Sequence, residues 1–492
     1  MKLETKSDGR SKDDSRELAR FGYVQQLRRS MGAFSSFAIS FSLISIITGI
    51  FANFGFGYRQ VGPAILWSWT VVGFGQFLVA LVMADLATRI PISGYGYQWT
   101  SRLLNPHFGY FVGWLLLMQF LTGFPGVCQA LAATLSGMAG GGNGEWIVTG
   151  LTVGVISLIT LVHLYGIRLV SRVNNIGVFT EIFGAALITL VLLGLYFISG
   201  KADFTVIFEA GVTGSGRSPG FSAFALSLLM GAWCLTGFEA AADLAEETHQ
   251  PKSTVPRAVI VSQLSAAIGG FFMLLAFILS IEERAMVAGS GAPLISVLQA
   301  KLGARWMSMV GLVVVASIFA CGVASMASAT RLIFSLARDS MLPFSSRLRR
   351  IHPASRAPRI ATTAVWALSC AVVLLIRRLE IITSISAVAG YLGYCGIVTA
   401  ALMSARKSGN RGAGFSLGRL QRPVQWVALA WTLIVVAALT VPANRVEGFS
   451  DTHLPAKSAL AALLLGLAVY LVLIRSRILR GQAGPPLEKS AA

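Results

Sequence analysis

The stretch that decides the fold runs over residues 228–247 and reads LLMGAWCLTGFEAAADLAEE. Its first half is an apolar segment, and its second half carries Glu239, Asp243 and Glu246 at helical spacing. Gly237 lies between the halves, where the backbone can leave helical geometry at little cost. A carboxylate near the middle of a bilayer costs about 2.5 to 3.5 kcal/mol on insertion scales, so it needs a partner or a water-filled cavity. The pattern therefore predicts a membrane helix that is broken at Gly237, with freed backbone groups lining a cavity.

The composition indicates an integral membrane protein. Of the 492 residues, 55% are hydrophobic and 12% are charged, and the mean hydropathy is +0.70, which is outside the usual range of a soluble domain. The net charge is +19, but the Lys and Arg residues fall in loops and tails, without a basic stripe interleaved with aromatic residues. This distribution excludes nucleic-acid binding. The five cysteines form no C-x-x-C pattern and indicate neither a disulfide framework nor a zinc site.

Apolar stretches of membrane-spanning length occur twelve times in the chain. When the loops are assigned alternately to the two sides, thirty of the 40 Lys and Arg residues fall on the side of the termini. The positive-inside rule therefore predicts that both termini are cytoplasmic, in a plasma membrane whose anionic lipids neighbour them. The predicted spans are 33–57, 64–87, 108–138, 145–165, 175–198, 221–247, 257–281, 306–336, 361–378, 381–404, 423–442 and 456–474.

A second interrupted span lies five helices before the quoted stretch. Thr48 and Gly49 are inside the first span, and a matching pair of interrupted spans indicates a transporter binding site. Because five is an odd number, a second repeat of five helices would be inverted relative to the first. The predicted organisation is a mobile cytoplasmic N-terminal tail at 1–30, repeats at 31–200 and 221–405, helices 11 and 12 at 420–475, and a cytoplasmic C-terminal tail at 476–492.

Polar side chains inside other spans are candidates for lining a central cavity. Gln119 lies in the third span beside helix-bending residues. Glu181 lies in the fifth span, where its partner is a cation such as sodium, a proton or an amine, or else an arginine such as Arg172. Ser325 and Ser328 share one face of the eighth span. Their hydroxyl groups suit a sodium ion, and close helix packing is the alternative role.

Three ordered motifs extend over most of the first ten spans. They are Asp85-Leu86-Ala87 with Pro91 and Gly94, then Gly237-Phe238-Glu239 through Glu246-Glu247-Thr248 with Pro251 to Pro256-Arg257-Ala258, then Arg331-Leu332 with Ala337-Arg338-Asp339 and Leu342-Pro343. Together these residues resemble the amino acid, polyamine and organocation (APC) superfamily of permeases. Residues 239–247 are most similar to the branch that contains bacterial amino acid permeases and the GABA and choline permeases of fungi.

The resemblance implies an all-α integral membrane protein with twelve transmembrane helices. Ten of them would form a five-plus-five inverted repeat with discontinuous helices 1 and 6, followed by two C-terminal helices. Family members typically have Gly-Ser-Gly-Ile at the first break, whereas this chain has Ile47-Thr48-Gly49-Ile50 and lacks the leading glycine. Many proton-dependent relatives have a lysine where this chain has Glu181, which makes Glu181 a candidate for proton coupling.

The resemblance also implies which residues contact the substrate. At the first break, Thr48, Gly49 and Ile50 would hold a carboxylate. At the second, the ammonium group and side chain would contact Trp233, Thr236, Gly237 and Phe238, with Gln119 facing the same cavity. The coupling or gating candidates are Glu181, Glu239, Ser325 and Ser328.

The predicted function is secondary active transport of an amino acid or a related amine such as GABA, coupled to H⁺ or Na⁺ by alternating access. Two alternatives remain open: an organocation carrier for choline or a polyamine, and a nutrient sensor that binds without transporting. No nucleophile with a neighbouring base, metal-ligand cluster or phosphate loop indicates an enzyme, so no catalytic residue, metal site or cofactor is predicted. The predicted partners are the small-molecule substrate, the lipid bilayer and a second copy of the chain docked through helices 11 and 12.

Overall fold

The computed structural model describes residues 14–138, 144–199, 203–211, 220–290, 292–404, 414–440 and 454–487. Over these ranges the chain is helical and no β-strand is formed, because an apolar segment in a bilayer must satisfy its backbone polar groups internally. The predicted all-α class is therefore confirmed.

Most of the helices are long, and they are connected by short turns and a few short helices. In chain order they are α1 (Ala33–Ile44), α2 (Ile46–Val61), α3 (Ile65–Arg89), α4 (Tyr95–Leu103), α5 (Pro106–Met138), α6 (Glu145–Leu164), α7 (Ile167–Ile198), α8 (Phe221–Cys234), α9 (Ala240–Asp243), α10 (Pro251–Ser280), α11 (Arg284–Gly289), α12 (Pro293–Leu302), α13 (Ala304–Arg338), α14 (Ser345–Leu348), α15 (Arg359–Leu375), α16 (Leu379–Ser404), α17 (Gln421–Thr440), α18 (Leu454–Val469) and α19 (Arg475–Leu479).

Within the described ranges, nine helical segments are long and apolar enough to cross a membrane. The first of them, Ala33–Arg89, has 57 residues and would be about 85 Å long as one helix, far more than a hydrocarbon core of about 30 Å. It therefore includes more than one crossing, and three shorter apolar helices, Phe221–Cys234, Pro293–Leu302 and Arg359–Leu375, add to the set. The chain is a multi-pass membrane protein, and the number of twelve crossings stays a prediction.

The helix contacts repeat between the two halves of the chain. α5 packs against α16, and α13 packs against α7. α5 and α16 are the third and tenth spans, and α13 and α7 are the eighth and fifth. Exchanging the first five spans with the next five therefore converts one of these contacts into the other. The contacts of α5 with α13, of α3 with α10 and of α2 with α8 each map onto themselves under the same exchange. This pairing is the one expected from two structural repeats of five spans.

Both tails lie at one end of the helix bundle, which we call the tail-bearing end (residues 14–31 and 475–487). The backbone N–H of Ser30 donates to the carbonyl of Glu247 at 2.9 Å, and that of Gly484 donates to the carbonyl of Asp339 at 2.9 Å. Phe21 is only 1% exposed. The prediction of a mobile tail is therefore wrong for residues 14–30, because apolar side chains anchor them. Residues 1–13 and 488–492 lie outside the described ranges.

Candidate functional site

The first helix is broken at Ser45. α1 ends at Ile44, Ser45 has a left-handed φ of 37°, and α2 begins at Ile46. The Ser45 side chain accepts a hydrogen bond from the N–H of Thr48 at 3.2 Å, which is the usual way in which serine caps a helix. Gly49 already donates to the Ser45 carbonyl at 3.0 Å as part of α2. The break therefore lies three residues before Thr48, and the predicted position at Thr48–Gly49 is wrong.

A buried glutamate from α7 accepts hydrogen bonds at this break. Glu181 is fully buried, and its Oε1 accepts from the Ser45 hydroxyl at 2.8 Å and from the N–H of Ile47 at 3.3 Å. The Thr48 hydroxyl lies 2.5 Å from the Ser45 hydroxyl, so a chain of hydroxyl groups connects Thr48 to the carboxylate. Arg172, the arginine considered as a partner, is exposed on the same helix. The Glu181 carboxyl group thus lies at the N-terminus of α2, where the helix dipole favours a negative charge.

The sixth span is broken around Gly237, as predicted. α8 ends at Cys234 and α9 begins at Ala240, so residues 235–239 are outside both helices. Gly237 has a φ of 102°, and a Cβ atom there would be 2.5 Å from Cγ of Leu43. Both its conformation and its surroundings therefore require glycine.

Glu239 accepts hydrogen bonds at the second break. Its Oε2 accepts from the N–H of Gly237 at 3.1 Å, and its Oε1 accepts from the hydroxyl of Tyr394 at 2.7 Å. The amide of Gln119 donates to the same Tyr394 oxygen at 3.4 Å. Glu239 is fully buried, so these donors take the place of the water that the carboxylate has lost.

The two breaks meet at a small central cavity. α1, α2, α5, α8, α13 and α16 contribute to its wall, together with the residues that follow α8. Six of the predicted site residues line it: Thr48, Gln119, Trp233, Thr236, Gly237 and Ser325.

The other six predicted residues lie behind the cavity wall. Gly49 packs against Cys234, where a Cβ atom would be 2.1 Å from the thiol sulfur. Ile50 is fully buried among apolar residues. The ring of Phe238 lies 5.8 Å from that of Tyr394. The remaining three are the two glutamates described above and Ser328, whose hydroxyl lies beside the Asp243 carboxyl group.

Several residues of the site were not predicted from the sequence. Ser45 makes the first break, Tyr394 holds Glu239, and the Ser386 hydroxyl donates to the carbonyl of Gln119 at 2.9 Å. The thiols of Cys234 and Cys321 lie 3.5 Å from carbonyl oxygens at the end of α1. For Ser45 a signal exists, because a serine three residues before a threonine inside an apolar run fits a helix N-cap.

With this geometry defined, comparison with known proteins gives the family. A family model described as amino acid permease matches residues 31–467. The chain belongs to the amino acid permease family. Its members are transporters rather than enzymes.

Three relatives illustrate the similarity. The amino-acid permease BAT1 of Arabidopsis thaliana is 26% identical over 465 residues, which cover 86% of this chain and 88% of the relative. The branched-chain amino acid permease BcaP of Bacillus subtilis is 28% identical, covering 69% of this chain and 73% of its own length. A putative polyamine transporter of Candida albicans is 23% identical, with coverage of 90% and 83%.

The permease is closed at its tail-bearing end. Arg331 pairs with Glu247 at 3.1 Å, and Arg338 pairs with Glu246 at 2.9 Å. These pairs fix the segment after α9 to the end of α13, so the second break cannot open toward this end without separating them.

The N-terminal tail adds to this closure through Tyr23. Its hydroxyl donates to the Asp339 carboxylate at 2.7 Å, beside the hydroxyl of Tyr97, which donates to the same group at 2.8 Å. Burial, and then the charge of Asp339, raise the pKa of Tyr23 well above its usual range. The phenol therefore stays protonated, and remains a donor, throughout the physiological pH range.

Proposed function

We propose that this permease is a secondary active transporter that moves an amino acid or a related amine such as GABA across the plasma membrane by alternating access. The observation that carries the proposal is the central cavity, which lies where both broken helices meet and is closed from the tail-bearing end. A transporter of this kind binds its substrate at mid-membrane and opens to one side at a time. Release toward the tail-bearing end would require the ion pairs of α13 to separate.

Each site residue is assigned a proposed role according to its position around the cavity. Trp233, Thr236 and Gly237, with Phe238 behind them, would contact the ammonium group and side chain, and Gln119 would contact a polar group from the opposite wall. For an amino acid, the carboxylate would lie toward Thr48, Gly49 and Ile50 at the start of α2. Because Glu181 holds the N–H of Ile47, it would have to leave for that contact to form.

Coupling to a proton gradient is assigned to the two buried glutamates. Glu181 is linked to the cavity wall through the hydroxyl groups of Ser45 and Thr48, which offer a path for a proton. Glu239 would gate the second break. For coupling to Na⁺ instead, Ser325 at the cavity and Ser328 behind it would be the oxygen ligands.

The topology and assembly belong to the same proposal. The tail-bearing end would face the cytoplasm, as the distribution of Lys and Arg predicts. A homodimer would form through α17 and α18, whose exposed faces carry large apolar side chains such as Trp426, Ile434 and Leu464.

The experiment that tests the proposal is uptake into proteoliposomes that contain the purified chain. Radiolabelled GABA, neutral and cationic amino acids, and choline are supplied one at a time, with proton and sodium gradients imposed separately. We expect one substrate class to accumulate under one gradient and to stop when the gradient is collapsed. Specific binding without flux under any gradient, in intact liposomes, would instead identify a sensor.

The second candidate function is transport of an organic cation such as choline or a polyamine. It is supported by the occupied N–H of Ile47 and by the name of the Candida albicans relative. The amino-acid function is supported by the names of the Arabidopsis thaliana and Bacillus subtilis relatives. Accumulation of choline alone would favour the cation carrier.

A further inference from the structure

α7 and α13 pack closely through two glycines. A Cβ atom added at Gly177 would overlap the side chain of Ala320, and one added at Gly184 would overlap that of Val313. The two glycines are seven residues apart, and so are their two neighbours on α13. Seven residues make about two helical turns, so each pair lies on one face of its helix. The antiparallel helices therefore keep one register along this contact.

The contact opens where the same register reaches larger side chains. Val191 lies seven residues beyond Gly184, and Trp306 lies seven residues before Val313. The distance between packed helices depends on the side chains at the contact, so a valine that faces a tryptophan separates α7 from α13. A groove lies between the helices at this point, which we call the α7–α13 groove. Its walls include Leu187, Val191, Leu195, Trp306 and Met309.

The α7–α13 groove is about as deep as one leaflet of a bilayer. Its inner limit is Gly184, about one turn from Glu181, and its outer limit is Lys301. α13 ends at the tail-bearing end, where Arg338 pairs with Glu246, so its first residues lie at the opposite end. From Gly184 to Leu195, α7 rises about 16 Å. Half of a hydrocarbon core of about 30 Å is about 15 Å.

The walls of the groove are apolar and open to the surface. Leu187, Trp306 and Met309 are exposed, and both helices are long and apolar enough to cross a membrane. Exposed apolar side chains at this depth contact hydrocarbon, and a long concave surface between two helices increases the dispersion contacts with a chain that lies in it. The groove therefore has the shape and the chemistry to hold a lipid acyl chain.

Two opposite charges lie at the outer limit of the groove. Nζ of Lys301 is 2.6 Å from Oε1 of Glu282, and the Glu282 side chain is 81% exposed. Trp306 lies close to them in the chain, and tryptophan is enriched where a membrane meets water. A headgroup that carries a phosphate and a primary ammonium group complements this pair. The phosphate suits Lys301, and the ammonium group can donate hydrogen bonds to Glu282.

We propose that the α7–α13 groove binds a phospholipid of the phosphatidylethanolamine class, from the leaflet opposite the tail-bearing end. One acyl chain lies in the groove between Leu187 and Trp306, the phosphate contacts Lys301, and the ammonium group contacts Glu282. The site is separate from the central cavity. The bound lipid joins α13 to α7, the helix that carries Glu181.

Lipid retention tests the headgroup. The purified full chain is delipidated in detergent and titrated with phosphatidylethanolamine, phosphatidylcholine or phosphatidylglycerol that carry identical acyl chains, and bound lipid is counted by native mass spectrometry. Phosphatidylcholine keeps both charges but has no N–H donor, and phosphatidylglycerol has no cation. We expect phosphatidylethanolamine to be retained at a concentration about threefold lower than either, as for a partly exposed ion pair.

Three variants test where the lipid binds. Glu282→Gln should abolish the preference for phosphatidylethanolamine, whereas Lys301→Gln should weaken retention of all three lipids, because each carries the phosphate. Val191→Phe fills the groove and should also weaken all three. The matched control is Glu209→Gln, which removes a carboxylate from another partly exposed ion pair, with Arg284, and should change neither. Size-exclusion profiles verify that each variant is folded.

Two results would overturn the site. One is retention of phosphatidylglycerol or phosphatidylcholine as tight as that of phosphatidylethanolamine, which would refute the headgroup. The other is unchanged retention in Val191→Phe, which would refute the groove.

A fluorescence measurement tests the groove even if Val191→Phe does not fold. Phosphatidylethanolamine brominated on its acyl chain should quench the original chain more than Trp306→Phe, and equal quenching would overturn the site. None of these measurements depends on flux, so a failure to transport any substrate would overturn the proposed function and leave the lipid site standing.

Discussion

The two broken helices use different residues to accept hydrogen bonds from the backbone N–H groups at their breaks. In both, the second half of the helix begins next to a fully buried glutamate that accepts hydrogen bonds from backbone N–H groups. At the first break the glutamate is Glu181, which comes from α7, 136 residues away from Ser45. At the second it is Glu239, two residues from Gly237, and a hydroxyl from α16 holds it.

This difference indicates which break can exchange its hydrogen-bond partners during transport. α7 and α16 are equivalent spans of the two predicted repeats, and each supplies one group to the break of its own half. Within the described ranges, hydrogen bonds from α2 and Ser45 hold the Glu181 carboxyl group, so a shift of α7 relative to α2 would remove it. Glu239 is covalently fixed beside Gly237, so it stays with its break. We infer that the first break is the more adjustable of the two and that the second is the more rigid.

Gly237→Ala should have the largest effect, because it tests whether the second break is rigid. The added methyl group would lie 2.5 Å from Cγ of Leu43, at a residue whose φ is 102°. Backbone strain and overpacking are each worth about 1 to 3 kcal/mol. We expect the melting temperature in detergent to fall more than in any other variant considered, with loss of transport.

The control for this glycine is Gly154→Ala. Its Cβ atom would have nothing within 4 Å, and alanine favours a helix. A stability that is unchanged in Gly237→Ala, or equal in the two variants, would contradict a rigid second break.

Tyr394→Phe should have the next largest effect, because it removes a side-chain hydrogen bond to Glu239. A buried carboxylate that loses a hydrogen bond costs about 1 to 3 kcal/mol, and the geometry of the second break would loosen. We expect a lower melting temperature and transport reduced by about tenfold or more.

Tyr391→Phe is the matched control on the same helix. The Tyr391 hydroxyl is buried without a hydrogen-bond partner among the described residues, so its removal should be neutral or stabilising. If both tyrosine variants behaved alike, the role given to Tyr394 would be wrong.

Ser45→Ala should have a smaller effect, because it acts on the adjustable break. It removes the cap of α2, worth about 1 kcal/mol, and one of the hydrogen-bond donors to Glu181. The control is Ser42→Ala, whose buried hydroxyl has no partner in the described part of the chain. A thermal melt comparing the two should show destabilisation for Ser45→Ala alone, and equal shifts would refute the capping role.

The sequence predicts the helical class and the two broken spans, because apolar runs and buried carboxylates leave few alternatives in a membrane. It predicts the second break at the correct residue, since Gly237 is needed there for its φ. It misplaces the first break, since Gly49 is needed for another reason: it packs against Cys234. A glycine in a sequence does not distinguish a break from a close helix contact.

The partners of the buried glutamates could not be predicted in the same way. The sequence indicates that Glu181 needs a partner, but the contact with Ser45 depends on how α1 and α7 pack. Tyr394 is equally compatible with a helix contact and with a donor to Glu239. The ordered tail is a similar case, since the few apolar residues before Met31 acquire their role only through the surface that buries them.

Glu181→Gln should have the smallest effect on stability and the most specific effect on function. The amide oxygen can still accept from Ser45 and Ile47, so the melting temperature should stay close to that of the original chain. The side chain can no longer exchange a proton. Accumulation driven by a proton gradient should therefore fall sharply, while exchange of substrate across proteoliposomes without a gradient stays measurable. Equal loss of accumulation and exchange would mean that Glu181 is needed for the architecture of the first break rather than for coupling.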